Sequence, residues 1–479
     1  MNTLVFSNVQ LWEIFCAETL ELCLRLIKQG KRVVLVSCTG QLASCAPNAQ
    51  HNLDFCKHCN KITSHVEQVM SSRGVICLNL DLNRSEYKPS NFFYNINSRS
   101  ELARLKYRNM PIGLLVSSQV IDNTNDVYFS FGENKDYIHK LIMNGISLFE
   151  AFSSLIFNYQ IDEVYAWNGR RPSDGPALYA AKLCGVKAFN HICGTSPGTM
   201  SINESTSSQD YEYNAGEAQA LWRSSSNILS QKDMAKDALK FFKEYSNGAS
   251  SGVNTSEMAK IFYRSEPFLP FRDIIGYEGK PILLVITSSP SETCFLQSYY
   301  GAYGEDPYGT FMSIIDDSSI LSKYNVIVRW HPAHDNSGIY EKARIRQCIV
   351  DHDCFTHIPS LSPINTYSIL PYVSTILSMG STIGWYAAIL GIPTIVYGPS
   401  GMLAGKSVQC YSDIPSTRLA LLSDTFAPAP FLDALILGYY LRFNGAPMEY
   451  SRARTLTEDF GHDWSVSYEG QEFPVHPNF

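Results

Sequence analysis

Hydrophobic positions in the first part of the chain alternate between two spacings. Leu4–Phe6 and Arg32–Ser37 are short runs of apolar and β-branched residues, which is typical of buried strands, whereas Leu11–Lys28 is apolar at helical spacing and is followed by Gly30. A strand, a helix and a strand in such close succession predict a βαβ unit and hence a parallel sheet. The pattern continues with strands at Val75–Leu80, Asp162–Trp167 and Lys187–Ile192 and helices at Leu148–Phe157 and Pro176–Leu183.

A polar stretch separates this alternation from a second one. Ser201–Ser230 predicts an irregular insertion, Asp233–Tyr245 a helix, and Asn247–Val253 a flexible break. Strands and helices then alternate again after Lys280. The predicted strands are Pro281–Thr287, Asn325–Trp330, Thr375–Ser378 and Thr394–Tyr397, and the predicted helices are Phe311–Leu321, Gly338–Ile349, Ile383–Leu390 and Phe431–Phe443.

The restarted pattern predicts an α/β fold with two Rossmann-like, doubly wound domains that face a cleft. We place the first domain at residues 1–270 and the second at residues 278–430, with a helix and tail at 431–479 that pack back on the first domain. Ligands of open α/β sheets bind beyond the carboxyl ends of the strands. The residues that follow strands are therefore the candidates for function.

Composition narrows the class of protein. The 479 residues are 45% hydrophobic and 17% charged, which favours packed cores over disorder. The net charge is −7 and the sequence has no basic run, so we expect no nucleic-acid partner. The most apolar stretches have the length of strands, and Met1–Phe6 has no basic leader. We therefore expect a cytoplasmic protein without a transmembrane segment.

Two strand ends in the second domain carry side chains that can bind phosphate. Ser288 and Ser289 offer small hydroxyls, although an ordinary serine-rich turn is the alternative interpretation. Arg329 and His331 end the next strand, and Pro332 forces a turn there. Arginine is a bidentate phosphate partner and histidine can protonate or hydrogen-bond a leaving phosphate. The alternative for the histidine is a strand-end cap on a backbone carbonyl.

A third strand end opens a helix. Ser381 and Thr382 precede the predicted helix, where unpaired amides and the helix dipole favour an anion. Helix capping alone is the alternative, because serine and threonine are good N-cap residues. Gly384 in the first turn would let a ligand approach the backbone.

These segments, in this order, resemble those of the capsule-polysaccharide and lipopolysaccharide glycosyltransferases, a GT-B group related to Kdo transferases and polysialyltransferases. The resemblance is carried by Ser288-Ser289, His331-Pro332, Ser381-Thr382-Ile383-Gly384 before Gly391-Ile392-Pro393, Asn168-Gly169-Arg170, and Leu437-Gly438-Tyr439-Tyr440 with Gly445. It implies that the second domain binds a nucleotide-sugar donor and that the acceptor is a saccharide or a lipid-linked saccharide. It also implies a bacterial enzyme that works on a surface polysaccharide, peripheral to the inner membrane.

One position departs from the family pattern. The family has a glutamate near position 386, where a carboxylate can accept hydrogen bonds from a ribose diol, but this chain has Tyr386. A phenol accepts one hydrogen bond and carries no charge at neutral pH. We expect Tyr386 to contact the nucleoside instead, and the departure leaves the base and the sugar of the donor open.

A strand end in the first domain supplies the other wall of the predicted cleft. Asn168, Gly169 and Arg170 follow the strand that ends at Trp167. Glycine lets the backbone approach a ligand, and the asparagine and arginine side chains supply oriented donors. The alternative is a surface turn with solvated arginines.

We favour inverting transfer, which needs no divalent metal if protein groups stabilise the charge of the leaving phosphate. His331 and Arg329 would stabilise the departing phosphate, and Arg170 is also placed among the catalytic residues. The base that takes the proton of the acceptor hydroxyl stays open. The candidate carboxylates near predicted strand ends are Glu163, Asp174, Asp210 and Glu292, and Glu292 is placed in the catalytic set.

Four of the 13 cysteines fall between two predicted elements of the first domain. Cys38, Cys45, Cys56 and Cys59 have the spacing C-x6-C-x10-C-x2-C. A cluster that ends in CxxC is typical of a structural zinc site with four thiolate ligands. His51 and His58 are alternative ligands. Unligated thiols, an iron–sulfur cluster and a redox pair are the other interpretations.

Two further functions stay open at this point. A nucleotide-sugar 2-epimerase also has paired α/β domains, and it would release free sugar without an acceptor. A non-catalytic, zinc-stabilised scaffold of a polysaccharide assembly complex would be consistent with Tyr386 in place of a glutamate.

Overall fold

A computed structural model describes residues 1–8, 13–82, 96–195, 198–246, 279–289, 293–400, 407–423, 431–455, 464–468 and 471–475. The chain divides into two compact units. Unit 1 comprises Met1–Asn123, Phe131–Asp210 and Asn444–Phe479, and unit 2 comprises Thr124–Ser130 and Tyr211–Phe443.

Unit 1 begins with an alternation of strands and helices. Its first strands are β1 (Asn2–Ser7), β2 (Arg32–Ser37), β3 (Ile76–Asn79), β4 (Glu163–Trp167), β5 (Lys187–Cys193) and β6 (Thr199–Asn203). Its helices are α1 (Glu13–Lys28), α2 (Leu53–Ser71), α3 (Arg99–Arg104), α4 (Ile112–Thr124), α5 (Lys135–Asn158) and α6 (Gly175–Leu183).

The sheet of unit 1 has the order β3-β2-β1-β4-β5, with all five strands parallel, followed by β6 antiparallel to β5. The central strands are buried along nearly their whole length, as β-branched and apolar runs in a parallel sheet require. Helix α1 packs its apolar positions, including Leu20 and Cys23, against Val5 and Leu35 of the sheet.

Unit 2 contains a second, longer alternation. Its strands are β7 (Ile282–Ile286), β8 (Asn325–Arg329), β9 (Thr356–Ile358), β10 (Thr375–Ser378), β11 (Thr394–Tyr397) and β12 (Gln409–Tyr411). Its helices are α7 (Tyr211–Ser225), α8 (Gln231–Ser246), α9 (Gln297–Tyr303), α10 (Pro307–Ile315), α11 (Ser318–Lys323), α12 (Ile339–Asp351), α13 (Thr366–Ile369), α14 (Ile383–Ile389), α15 (Ile414–Leu422) and α16 (Leu432–Phe443).

The sheet of unit 2 is parallel throughout, in the order β9-β8-β7-β10-β11-β12. The chain winds outward from β7 in one direction and from β10 in the other, which is the arrangement of a doubly wound dinucleotide-type sheet. A 3-10 turn, Pro332–Asn336, follows β8 directly.

The chain returns to unit 1 after α16. Strand β13 (Ala446–Pro447) adds to the edge of the first sheet, antiparallel to β6. Strands β14 (Ser451–Thr455), β15 (Trp464–Tyr468) and β16 (Gln471–Val475) form a separate antiparallel sheet.

The two sheets confirm the prediction of two doubly wound α/β domains. The boundaries differ from those predicted, because unit 2 begins at Tyr211, far before residue 278, and takes in Thr124–Ser130 as well. The C-terminal segment predicted at 431–479 is divided, since α16 belongs to unit 2 and only Asn444–Phe479 belongs to unit 1.

The prediction of an irregular insertion at Ser201–Ser230 is wrong. Strand β6 pairs with β5 there, and helix α7 buries only Ala218 and Trp222, which pack against α16 residues such as Tyr439. With only two fully buried positions, its apolar stripe is too narrow to stand out in the sequence.

One helix in the described part of the chain is long and apolar enough, by length and composition, to cross a membrane. It is the 28-residue segment Phe131–Asn158, half of whose most apolar window is buried inside the fold. The buried core helix of a globular unit passes the same test, and α5 contributes Phe149 and Phe152 to the interior of unit 1.

Candidate functional site

The order of the strands in unit 2 defines one switch point, between β7 and β10, where the winding direction reverses. Ligands of doubly wound sheets bind at this point, beyond the carboxyl ends of the strands. The strand ends are level, because Ile286 of β7 pairs with both Arg329 of β8 and Ser378 of β10. All three segments selected from the sequence therefore leave the same edge of one sheet, as predicted.

The segment after β7 combines buried and accessible hydroxyls. Thr287 is fully buried and Ser288 nearly so, whereas Ser289 is half-buried. The backbone N–H of His331 donates to Thr287 Oγ1 at 2.8 Å, which ties the end of β7 to the turn after β8. Glu292, predicted as a catalytic carboxylate, lies outside the described residues.

His331 begins the 3-10 turn after β8 and caps it with its own ring. The N–H of Ala333 donates to His331 Nδ1 at 3.2 Å. Burial, followed by the neighbouring side chains of His334 and Arg329, lowers the pKa of His331 to about 3. The ring is therefore neutral near pH 7, and because Nδ1 accepts, its proton is on Nε2. His331 can donate a hydrogen bond to a phosphate but is not a protonated acid, which corrects that part of the sequence interpretation.

Arg329 does not have the role predicted for it. Its side chain is buried and donates to Thr366 Oγ1 at 3.2 Å, to Ser362 O at 3.5 Å and to Pro359 O. Burial lowers the pKa of Arg329 to about 10, well above neutral, so the group stays charged. The guanidinium holds the loop after β9 in place and is already committed to these acceptors, so it is not a ready phosphate partner.

The segment after β10 is fixed by a serine within the strand. Ser378 Oγ accepts the N–H groups of Gly380 at 3.1 Å and Ser381 at 2.9 Å. Gly380 has a φ of +101°, and a Cβ atom there would lie 2.8 Å from Ser400 Oγ. Two of the loop amides expected to bind phosphate thus already have an acceptor. The hydroxyls of Ser381 and Thr382, both half-buried, remain the groups at this strand end that can reach a ligand.

The helix that follows is short. Gly384 is buried and its N–H donates to Ser381 O at 2.9 Å, inside a helix of seven residues. Tyr386 is half-buried, and its ring packs 5.2 Å from that of Tyr367 and 6.1 Å from that of Phe242. Packing between these two rings accounts for a tyrosine here, and the predicted contact with a nucleoside stays a prediction.

In unit 1, the segment after β4 has an unusual backbone. Asn168 and Gly169 both have left-handed φ values, of 59° and 85°. The N–H of Asn168 donates to His191 O at 3.0 Å, and its side-chain Oδ1 accepts from Ser208 Oγ at 3.0 Å. A Cβ atom on Gly169 would lie 2.1 Å from Thr206 O. The backbone of Thr206 therefore requires a glycine at position 169. The sequence analysis had explained this glycine by the close approach of a ligand.

The two arginines of this segment share one carboxylate that the sequence analysis missed. Arg170 Nη2 lies 3.1 Å and Arg171 Nη2 2.8 Å from Oδ2 of Asp122, a residue in the last turn of α4. Arg171 also lies 4.9 Å from the centre of the Trp167 ring. These contacts rule out a simple surface turn with solvated arginines. No local sequence motif identifies Asp122. Its role is visible only from its ion pairs with Arg170 and Arg171, which are distant in sequence.

The three candidate bases of unit 1 are placed very differently. Glu163 begins β4, at the amino edge of the sheet, where it pairs with Lys31 at 2.5 Å, so its expected place near the carboxyl end of the strand is wrong. Asp174 lies at the correct edge but is fully buried, and burial raises its pKa to about 6. Asp210 is half-buried, two residues from Ser208, and accepts from Ser205 Oγ at 2.7 Å.

The four cysteines predicted to bind zinc lie in one neighbourhood, between the end of β2 and the first turns of α2. Cys38 is buried and accepts hydrogen bonds from the backbone of residues 40–42, and Cys56 Sγ accepts from Asn48 Nδ2 at 3.3 Å. Burial, together with the neighbouring thiols of Cys38 and Cys59, raises the pKa of Cys45. Among the residues that the structure describes, no group of three or more His, Cys, Asp or Glu side chains is arranged to hold a metal ion. The zinc site therefore stays a prediction.

No family model matches the sequence, and no curated protein matches it. Among solved structures, the chain is similar to the KpsC β-Kdo 2,4 transferase of Thermosulfurimonas dismutans, with 13% identity, a TM-score of 0.35, and coverage of 58% of this chain and 79% of that one. The KpsC β-Kdo 2,7 transferase of the same organism gives 12% identity, a TM-score of 0.35, and coverage of 68% and 86%.

A UDP-GlcNAc 2-epimerase from Methanocaldococcus jannaschii, solved with UDP-GlcNAc and UDP, gives 9% identity and a TM-score of 0.28, with coverage of 92% of this chain and 100% of that one. Both glycosyltransferases and epimerases thus occur among the similar structures. TM-scores and identities this low assign neither a family nor an activity to the chain. Its function has to be argued from its own residues.

Proposed function

We propose that the chain is a GT-B-type glycosyltransferase, which transfers a sugar from a nucleotide-sugar donor to a saccharide or lipid-linked saccharide acceptor of a surface polysaccharide, such as capsule, O-antigen or lipopolysaccharide. One observation carries the proposal. The switch point of unit 2 is bordered by hydroxyl-bearing segments after β7 and β10 and by His331 after the neighbouring β8.

This edge has the chemistry that a nucleoside diphosphate needs. Ser289, Ser381 and Thr382 are half-buried hydroxyls, which can hydrogen-bond phosphate oxygens without burying a permanent charge. The neutral ring of His331 can donate from Nε2 as negative charge develops on the leaving phosphate. We propose that these groups, with Ser288, hold the donor, and that transfer needs no divalent metal.

The reaction is a displacement at the anomeric carbon. A bond forms between the acceptor oxygen and this carbon with inversion, the bond from the carbon to the phosphate oxygen breaks, and the nucleotide leaves with the electron pair. The proton of the acceptor hydroxyl passes to a carboxylate. We propose Asp210 for this role, because Glu163 lies at the amino edge and Asp174 is fully buried. Asn168 and Arg170 belong to the same acceptor side.

Turnover tests the activity. The chain is incubated with CMP-, UDP-, GDP- and dTDP-sugars, with and without saccharide acceptors, and nucleotide and free sugar are measured. A glycosyltransferase releases nucleotide in step with a glycosylated acceptor. Free sugar formed without an acceptor would instead show an epimerase-like reaction, and absence of either product with every donor and acceptor pair would favour a scaffold.

We also propose a structural zinc at Cys38, Cys45, Cys56 and Cys59, supported by their common neighbourhood and by the amides that already donate to Cys38. The four sulfur atoms would have to draw together around the ion. We also propose a cytoplasmic location, peripheral to the inner membrane, which a lipid-linked acceptor would require.

A further inference from the structure

A chain of buried polar side chains lies directly behind His331 in unit 2. Its members are Thr287, Tyr308, His334 and Glu341, which we call the relay. Each is at most 4% exposed. Buried polar groups are costly unless every hydrogen bond is made, so a connected set of four indicates a specific arrangement.

The contacts of the relay can be followed one by one from the backbone of His331. His331 N–H donates to Thr287 Oγ1 at 2.8 Å, and Thr287 Oγ1 lies 3.1 Å from His334 Nε2. His334 Nδ1 lies 3.2 Å from Tyr308 Oη and 3.4 Å from Glu341 Oε1. A neutral ring with its proton on Nδ1 fits these contacts, because Nε2 can then accept from the threonine hydroxyl, which also lies 3.3 Å from Arg329 O.

The far end of the relay is anchored by a carboxylate. Tyr308 O–H donates to Glu341 Oε1 at 2.7 Å, and Val127 N–H donates to Oε2 at 2.9 Å. Burial alone would raise the pKa of Glu341, but the hydrogen bonds from His334, Val127 and Tyr308 outweigh it and hold the pKa below its usual value. The carboxylate therefore stays ionised and keeps the proton of His334 on Nδ1.

The relay connects four segments of unit 2. Thr287 directly follows β7, His334 lies in the turn after β8, Tyr308 belongs to α10, and Glu341 belongs to the first turn of α12. Through Thr287 it fixes the backbone of His331, whose ring in turn caps the same turn. The position of the His331 ring at the switch point thus depends on a carboxylate that is itself remote from the strand ends.

We propose that Glu341, His334 and Thr287 are positioning residues of the nucleotide site, which hold His331 so that its Nε2–H faces a phosphate of the donor. The proposal rests on the proposed function and adds to it the residues that pre-organise its phosphate donor. None of the three needs to touch the ligand.

Thr287→Val and Thr287→Ser form the matched pair that tests this. Valine keeps the shape of the buried side chain and removes the hydroxyl, whereas serine keeps the hydroxyl and loses a methyl group. We expect Thr287→Val to weaken nucleotide binding about tenfold, the scale of one lost buried hydrogen bond, and Thr287→Ser to stay within about twofold of the wild type. Binding is measured by calorimetry with CMP, UDP, GDP and dTDP on the full chain.

Glu341→Gln covers the case in which Thr287→Val does not fold, because it is nearly isosteric, removes the charge and replaces one accepting oxygen by an NH2 group. Its control is Arg344→Gln on the same helix, which breaks the ion pair with Asp306 and leaves the relay intact. We expect weaker nucleotide binding for Glu341→Gln and unchanged binding for Arg344→Gln. Nitrogen NMR of labelled histidines gives a readout that does not depend on nucleotide binding. In the wild type we expect His334 to be the Nδ1–H tautomer and His331 to be the Nε2–H tautomer.

The possible results distinguish a failure of the relay proposal from a failure of the proposed function. A wild type that binds none of the four nucleotides would overturn the proposed function and this role with it. A wild type that binds, with folded Thr287→Val and Glu341→Gln variants that bind equally well, would overturn the relay and leave the function standing. Equal weakening in Thr287→Val and Thr287→Ser would also overturn it, since the hydroxyl would not be the cause.

Discussion

Gly169→Ala tests the strained segment that carries the proposed acceptor side. Gly169 has a φ of +85°, and a Cβ atom would lie 2.1 Å from Thr206 O and 2.9 Å from Leu178 Cδ1. A left-handed alanine costs roughly 1–2 kcal/mol, and forcing an extra carbon into a packed site costs roughly 1–3 kcal/mol more. We therefore expect a loss of about 2–5 kcal/mol in the unfolding free energy of unit 1.

Gly185→Ala is the matched control. Gly185 has a φ of +72° in the same unit, but nothing lies within 4 Å of the Cβ position, so only the conformational cost of roughly 1–2 kcal/mol applies. Hydrogen exchange of peptides from β4 and β5, measured against peptides from β8 of unit 2, reports the stability of each unit separately. Equal losses in the two variants would refute the close approach of Thr206 to Gly169.

Three further predictions address single groups. His331→Ala should reduce transfer by on the order of a hundredfold while the fold survives, because a charge-stabilising donor is lost; wild-type turnover by the folded variant would remove His331 from the site. Asp174 has a pKa raised to about 6 by burial, so its contribution to stability is present below about pH 4 and is lost as the pH rises past 6. The unfolding free energy of wild type relative to Asp174→Asn should fall by roughly 3 kcal/mol between pH 4 and pH 7, and a flat difference would contradict the buried carboxylate. Elemental analysis should find about one zinc per chain, lost when Cys56 and Cys59 are changed to serine but kept in an exposed-cysteine control, Cys354→Ser; full occupancy in the double variant would exclude this site.

The strands were the most predictable part of the fold. The bounds predicted for Arg32–Ser37, Thr375–Ser378 and Thr394–Tyr397 are those observed. These runs are buried on both faces in a parallel sheet, so their continuous apolar and β-branched sequence is itself the structural requirement. The predicted helix Phe311–Leu321 splits instead into α10 and α11, because Asp317 caps the second helix by accepting the N–H of Ser319.

The candidate site was predictable in position but not in the direction of its side chains. Residues after β7, β8 and β10 had to meet at one edge once the strands were recognised. Nothing local shows that Arg329 would turn to the carbonyls of Pro359 and Ser362, which are distant in sequence. Glu341 was missed for the same reason, since its link to Thr287 exists only after β7, β8 and α12 have packed.

The central claim is that a nucleotide binds at the switch point of unit 2. Calorimetry of the full chain with the preferred nucleotide, comparing the wild type with Ser381→Trp, tests it most directly, because Ser381 is half-buried beside the end of β10. Ser318→Trp is the control, an exposed position that begins α11 and precedes the amino end of β8, at the opposite edge of the sheet. The account predicts that Ser381→Trp abolishes measurable binding and Ser318→Trp leaves it unchanged. Undiminished affinity in a folded Ser381→Trp variant would show that the phosphates bind elsewhere.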